Sequence, residues 1–300
     1  MNLRRFSFTA ALVVATVASA QAGVLHGTWT ASNTKERSGK LDFSLRTGRN
    51  DNSGTMLERS AFTGLSESDV QSIPPVEVRF RLEREAGTVA FEGTFRNGIG
   101  AGDFTFTSDP EFRKKLRSIG VRSDDPDIDE DRDLLTLALF DVSIPFIRSM
   151  QAIGYDESIE KYVAFRIFGV DPVYVRDMAS VGFDHLSADK LVETKIHGAT
   201  PEYIRAQRAA GQDLTLNQYI ESRIFRITPE FAQQMATAGY PDLSREQLLQ
   251  MRIFHITPEF IRRAQKAAHG PVSVNRLVEM RIFHVDPERA HSSDGDDDDD

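Results

Sequence analysis

The sequence predicts an α+β protein, an N-terminal antiparallel β-sheet domain followed by a short α-solenoid of helix-hairpin repeats. Three observations carry this. Apolar residues alternate with period two between residues 24 and 107. Beyond residue 108, two columns of mostly aromatic residues recur every 28 or 29 positions, with one longer first step. Helix caps recur in phase with those columns. The chain has 300 residues and is 40% hydrophobic and 27% charged, which suits a globular protein of two domains.

The first 22 residues read as a secretory signal peptide. Arg4 and Arg5 precede an uncharged stretch, Phe6 to Ala18, and Ala20-Gln21-Ala22 forms a small-residue cleavage pattern. The stretch is shorter than the roughly 20 apolar residues a bilayer demands, and Ser7, Thr9 and Thr16 interrupt it. The expected mature chain starts near Gly23, is exported to the periplasm or the medium, and has no membrane span after signal cleavage.

Residues 23–107 form the expected β domain. Leu41, Phe43 and Leu45 interleave with Asp42, Ser44 and Arg46; Val76, Val78, Phe80 and Leu82 interleave with Glu77, Arg79 and Arg81. Such alternation buries one face and wets the other, as in an antiparallel sheet. Glu85-Ala86-Gly87 and Asn97-Gly98 mark turns. The expectation is five or six strands in a meander, with 64–73 as a loop or short helical turn. Gly27-Thr28-Trp29 is similar to the first-strand motif of lipocalins, but the segment is too short for their roughly eight strands. Trp29 therefore reads as a core plug. Gly98-x-Gly100-x-Gly102 precedes a strand containing Phe104 and Phe106, so it reads as a hairpin rather than a phosphate loop, which needs a helix N-terminus.

Residues 108–290 read as about six helical hairpins, and 291–300 as a disordered acidic tail. One column is Phe112, Phe146, Tyr174, Tyr203, Phe231 and Phe260; the other is Phe140, Phe168, His197, Phe225, Phe254 and Phe283. First helices open with Asp-Pro or Thr-Pro, an N-cap followed by proline at the first helical position, and Ser143-Ile144-Pro145 moves the proline one place on. Gly120, Gly154, Gly182, Gly211 and Gly239 read as left-handed helix stops, with a different turn expected where Ala268 replaces glycine. Second helices open at Ser187, Thr215, Ser244 and Ser273, each flanked by apolar residues spaced as a hydrophobic staple. Helices of about ten residues are marginal alone, so neighbouring units must support each other, and Phe225 and Phe254 are expected between them. Lys195, Arg223, Arg252 and Arg281 stand seven places before Glu202, Glu230, Glu259 and Glu288, which predicts a ladder of ion pairs.

Residues 198–205 (Gly-Ala-Thr-Pro-Glu-Tyr-Ile-Arg), 239–244 and 256–260 resemble repeats of secreted Gram-negative bacterial proteins. The same repeats occur in C-terminal regions of some antirepressor-type membrane metalloproteases. The 91–106 stretch resembles the sheet that accompanies them. The resemblance implies an architecture and no activity: H-E-x-x-H and a transmembrane bundle are both missing here.

Composition excludes much chemistry. With no cysteine there are no disulfides, thiolate metal sites or thiol catalysis. A net charge of −9, concentrated in Ser123–Asp133 and Asp294–Asp300, opposes nucleic-acid binding. Asp125, Asp127, Asp129, Asp131 and Asp133 imitate the start of a calcium loop, but Glu130 and Thr136 stand where it needs glycine and glutamate. They read as a solvated loop ahead of a helix. His255 and His284 share a repeat position and read as cations at helix C-termini, with a two-histidine metal site as the rival. No catalytic residue, cofactor or metal ligand is assigned. The expected function is a non-enzymatic, extracytoplasmic binding or scaffold protein using its repeat surface for a protein or peptide partner. A periplasmic hydrolase, or a sensor or regulatory domain beside a membrane protease, is the alternative. The candidate partner-binding row is Arg148, Arg176, Arg205 and Arg262, in successive first helices, with Gln233 interrupting it.

Overall fold

A computed structural model describes residues 23–33, 39–48, 52–123 and 130–286. The expected signal peptide and the acidic tail lie outside the described residues. The class is the expected one, an antiparallel sheet followed by a run of helices. The chain forms two compact units, divided between Arg166 and Ile167. The change of period at 107/108 marks a change of secondary structure, whereas the first packing unit continues through the first helices.

The sheet has seven strands: β1 (Val24–Ser32), β2 (Lys40–Arg46), β3 (Asn52–Glu58), β4 (Phe62–Thr63), β5 (Val76–Arg84), β6 (Gly87–Arg96) and β7 (Ile99–Ser108). Their order, β3-β2-β1-β7-β6-β5-β4, differs from the simple meander expected of five or six strands. The first strand pairs with the last along its length, from Val24 opposite Thr107 to Ser32 opposite Ile99. This long-range pairing has no local signal. The extra strands were silent because β4 has two residues and β3 shows little apolar alternation.

The inward face follows the alternation. Leu41, Phe43, Leu45, Val78, Phe80, Leu82 and Phe91 are buried. Trp29 is 1% exposed, packs edge-on against Phe80 and Phe91, and donates its indole N–H to the Glu92 carbonyl at 3.1 Å. It is the core plug expected. Gly93 lies opposite Gly102, and a Cβ on Gly102 would meet the Glu92 carbonyl oxygen at 2.0 Å. The glycine-rich stretch thus serves a close strand approach. A short helix, α1 (Glu67–Gln71), stands in 64–73, started by a Ser66–Asp69 capping box and seated on buried Val70.

Helix α2 (Pro110–Ser118) is capped by Asp109. Helix α3 (Glu130–Leu139) lies against β1, β5, β6 and β7, burying Leu134, Leu135, Leu137 and Ala138. The strand turn reaches α4 (Ile144–Gln151), where Glu85 accepts the Ile144 N–H at 2.8 Å. Asp141, at φ 55°, is gripped by Arg84 at 3.2 Å and Arg166 at 2.7 Å. Arg166 belongs to α5 (Ile159–Phe168), in which the division between the units falls.

The second unit alternates first helices, α6 (Pro172–Ser180), α8 (Pro201–Ala209), α10 (Pro229–Thr237) and α12 (Pro258–Ala267), with second helices, α7 (Ala188–His197), α9 (Leu216–Ile224), α11 (Arg245–Ile253) and α13 (Val274–Ile282). Like lies beside like: α6 with α8, α7 with α9, α11 with α13. The expected N-caps form, each hydroxyl or carboxylate of Asp171, Thr200, Thr228 and Thr257 accepting an N–H three residues on. Ser187, Thr215, Ser244 and Ser273 do the same for the second helices. The glycine stops hold, with Gly182, Gly211 and Gly239 at φ 83°, 81° and 102°. In the last repeat α12 runs one residue longer and His269 takes the left-handed place.

The first aromatic column is mostly core: Phe112, Tyr174, Phe231 and Phe260 are buried, and Phe146 and Tyr203 are half-buried. The second is not. Phe225 and Phe254 are half-buried, and Phe283 is 73% exposed. The position actually buried lies three places earlier, at Phe165, Thr194, Ser222, Met251 and Met280. Its residue types differ from unit to unit, which hides the period, and the buried Thr194 hydroxyl is satisfied by the Tyr174 hydroxyl and the Leu191 carbonyl, each at 2.7 Å.

Candidate binding surface of the helical repeats

The last turn of each second helix carries a basic residue followed by isoleucine. The basic side chain lies across the aromatic ring of the preceding first helix. Lys195 Nζ is 3.9 Å from the Tyr174 ring centre, and the guanidinium carbons of Arg223, Arg252 and Arg281 are 5.0, 3.6 and 4.0 Å from Tyr203, Phe231 and Phe260. Each arginine also donates to a backbone carbonyl 26 residues earlier: Arg223 to His197 at 3.2 Å, Arg252 to Arg226 at 2.9 Å, Arg281 to His255 at 2.8 Å. Those carbonyls lie at or just beyond the end of the previous second helix, where acceptors are in surplus and a cation meets the negative end of the dipole. Within the first unit, Arg166 does the same over Phe146 and to Phe140.

This replaces the expected arginine–glutamate ladder. Among the described residues, no ion pair joins Arg223, Arg252 or Arg281 to Glu230 or Glu259, or Lys195 to Glu202; Glu288 lies outside them. Glu202 and Glu230 are satisfied locally. The backbone N–H of Glu202, and then the Thr200 hydroxyl, hold its carboxyl below the usual carboxylate range. For Glu230 the Thr228 hydroxyl comes first, then its own N–H. The charges are spaced as a ladder demands, but the basic side chains lie on rings, the arginines also on backbone carbonyls, and Glu202 and Glu230 on their own N-caps.

The isoleucines that follow form a row. Ile167, Ile196, Ile224, Ile253 and Ile282 are 49, 52, 45, 43 and 48% exposed. Scattered exposed apolar residues are ordinary, but a large one at the same place in every repeat is a continuous feature. The sequence carries the signal as Arg-Ile-Phe at 166–168, 223–225, 252–254 and 281–283, but recurrence alone does not say whether the isoleucine is covered.

The arginine row proposed from sequence is exposed throughout: Arg148 in α4, Arg176 in α6, Arg205 in α8 and Arg262 in α12. Arg205 reaches Ser180 at 3.2 Å and lies 3.9 Å from Glu202; the other three have no described side-chain partner. Arg148 belongs to the first unit and the others to the second.

His255 and His284 sit just beyond the second helices at φ 52° and 53°, the place held by Gly169 and Gly198 in sister repeats. Among the described residues, no group of three or more histidine and acidic side chains gathers as a metal site. Asp125, Asp127 and Asp129 lie outside the described residues. Asp131 is bound to Arg113 at 2.6 Å and to the Ser108 hydroxyl at 3.1 Å, which makes it part of the joint between α2, α3 and the sheet. No described helix is long and apolar enough to cross a membrane. No protein family, curated protein or solved structure matches this chain.

Proposed function

We propose that this is an exported, non-enzymatic binding or scaffold protein whose helical repeats present a surface to a protein or peptide partner. The observation that carries the reading is the row of five half-exposed isoleucines at equivalent places in one unit. Stacked repeats set equivalent positions side by side, and extended partners use such surfaces. The exposed Arg176, Arg205 and Arg262 add a second row, suited to acidic side chains of the same partner. Arg4, Arg5, the uncharged stretch after them and Ala20-Gln21-Ala22 support export.

The test uses the chain from residue 23 as bait for periplasmic extract. A bound protein is expected to be lost from the Ile224→Glu/Ile253→Glu variant, and reduced by Arg176→Glu/Arg205→Glu, while the melting temperature of each variant holds. Capture unchanged by both pairs of substitutions would sink the reading, as would protein from the native host that retains Met1.

A further inference from the structure

A cleft of about 330 Å³ opens among the ends of α9 and α11 and the start of α12. Ile224, Phe225, Phe231 and Ile256 supply apolar wall, and the ionisable groups are Arg226, Arg252 and His255, with no carboxylate in the lining. Arg252 is held on Phe231 and on the Arg226 carbonyl, and its Nε is buried without an acceptor. Burial first, and the charge of Arg226 second, pull its pKa below the ordinary guanidinium value. The side chains of Arg226 and His255 have no ion-pair partner among the described residues.

The matching cleft one repeat further on, about 380 Å³, shows what is missing. It has Arg281 and His284 in the corresponding places, but Glu259 and Asp286 also line it, and Asp286 binds Arg263 at 2.7 Å. In the first cleft, Thr257 stands for Asp286 and Gln234 for Arg263, and Glu230 is turned onto its own N-cap. Two arginines thus line one partly apolar cavity with no carboxylate in its lining. An arginine pair is matched by a planar, forked acceptor, and the apolar part of the wall favours an acceptor with an apolar body over a small, fully hydrated ion.

We propose that this cleft binds a monocarboxylate with a short apolar body, its carboxylate between Arg226 and Arg252 and its body against Ile224, Phe225 and Ile256. The carboxylate comes either from a free acid or from an acidic side chain beside an apolar one in a peptide. The proposal stands apart from the macromolecular partner proposed above, since a small probe reads it directly.

The test is calorimetric titration of the chain from residue 23 with octanoate, with an end-blocked Leu-Glu dipeptide and with inorganic phosphate. Two substitutions borrow residues that sister repeats already hold. Arg226→Gly removes one cation at a left-handed position, φ 53°, that glycine occupies at 169 and 198. Thr257→Asp keeps a helix cap and brings in the carboxylate that Asp286 supplies one repeat on. Octanoate, the dipeptide or both should bind saturably, and each substitution should weaken binding by about tenfold or more, the loss of a charge-assisted contact. Octanoate alone would assign a free acid, and the dipeptide alone a peptide side chain. Phosphate binding as tight as that of either carboxylate would overturn the proposal. So would no saturable binding of either, or binding that both variants retain.

Discussion

Phe225 and Phe231 are six residues apart, at the end of one repeat and the start of the next, yet they do different work. Phe231 is 4% exposed and carries the Arg252 guanidinium on its ring, whereas Phe225 is half-buried beside the exposed isoleucine row. Removing a fully buried phenylalanine loses its transfer free energy and leaves a cavity, about 3–5 kcal/mol. Phe231→Ala should cost an amount in that range, and Phe225→Ala about 1–2 kcal/mol, as for a side chain that keeps much of its water. Urea denaturation of the two variants checks the order. Equal losses, or a greater loss at Phe225, would mean that the column chosen from sequence is the packed one after all.

Strands β6 and β7 depend on the absence of side chains at one crossing. Gly93 and Gly102 face each other, and Trp29 lies over the pair, so that a Cβ on Gly93 would meet the Ala101 carbonyl at 2.2 Å and the Trp29 ring at 2.8 Å. Neither contact is relieved by turning a flexible side chain, because both are with backbone or a locked ring. Gly102→Ala should therefore cost about 3 kcal/mol or more by overpacking. Gly54→Ala, in β3, meets nothing nearer than 3.8 Å and serves as the control. Melting temperatures that fall equally in the two variants would contradict the close-approach argument. The helices of the second unit rest on more distributed support: each has its own N-cap, yet none is long enough to persist without its neighbours.

Across the molecule, burial pushes the phenols of Tyr155, Tyr162, Tyr174, Tyr203 and Tyr240 above their ordinary value of 10.0. Burial disfavours the phenolate, so the folded chain holds protons that the unfolded chain releases. The associated stability is complete below about pH 10 and is lost as pH rises above it towards the folded-state values. Urea midpoints should be level up to about pH 9 and fall by pH 11. Tyr174→Phe should show a smaller fall, because its hydroxyl is bonded to buried Thr194 and titrates from within the core. A midpoint that falls as far in Tyr174→Phe as in the parent chain would remove this tyrosine from the explanation.

Local chemistry was legible in the sequence. Alternation set the inward faces of the long strands, Asp-Pro and Thr-Pro set the helix starts, and glycine set most of the stops, because each depends on residues within one turn or one strand. What tertiary structure alone decided were choices among distant partners. β1 pairs with β7 across about eighty residues of chain, a choice made by strand order and not by any local pattern. The basic residues of the repeats were visible, but whether they bind a glutamate seven places on or a carbonyl 26 places back depends on which acceptor the packed helices leave unsatisfied. The isoleucine row and the uncompensated cleft have the same origin. Periodicity says that a residue recurs, but only the packing of one repeat on the next determines whether that position is covered, and which charges face each other across the gap.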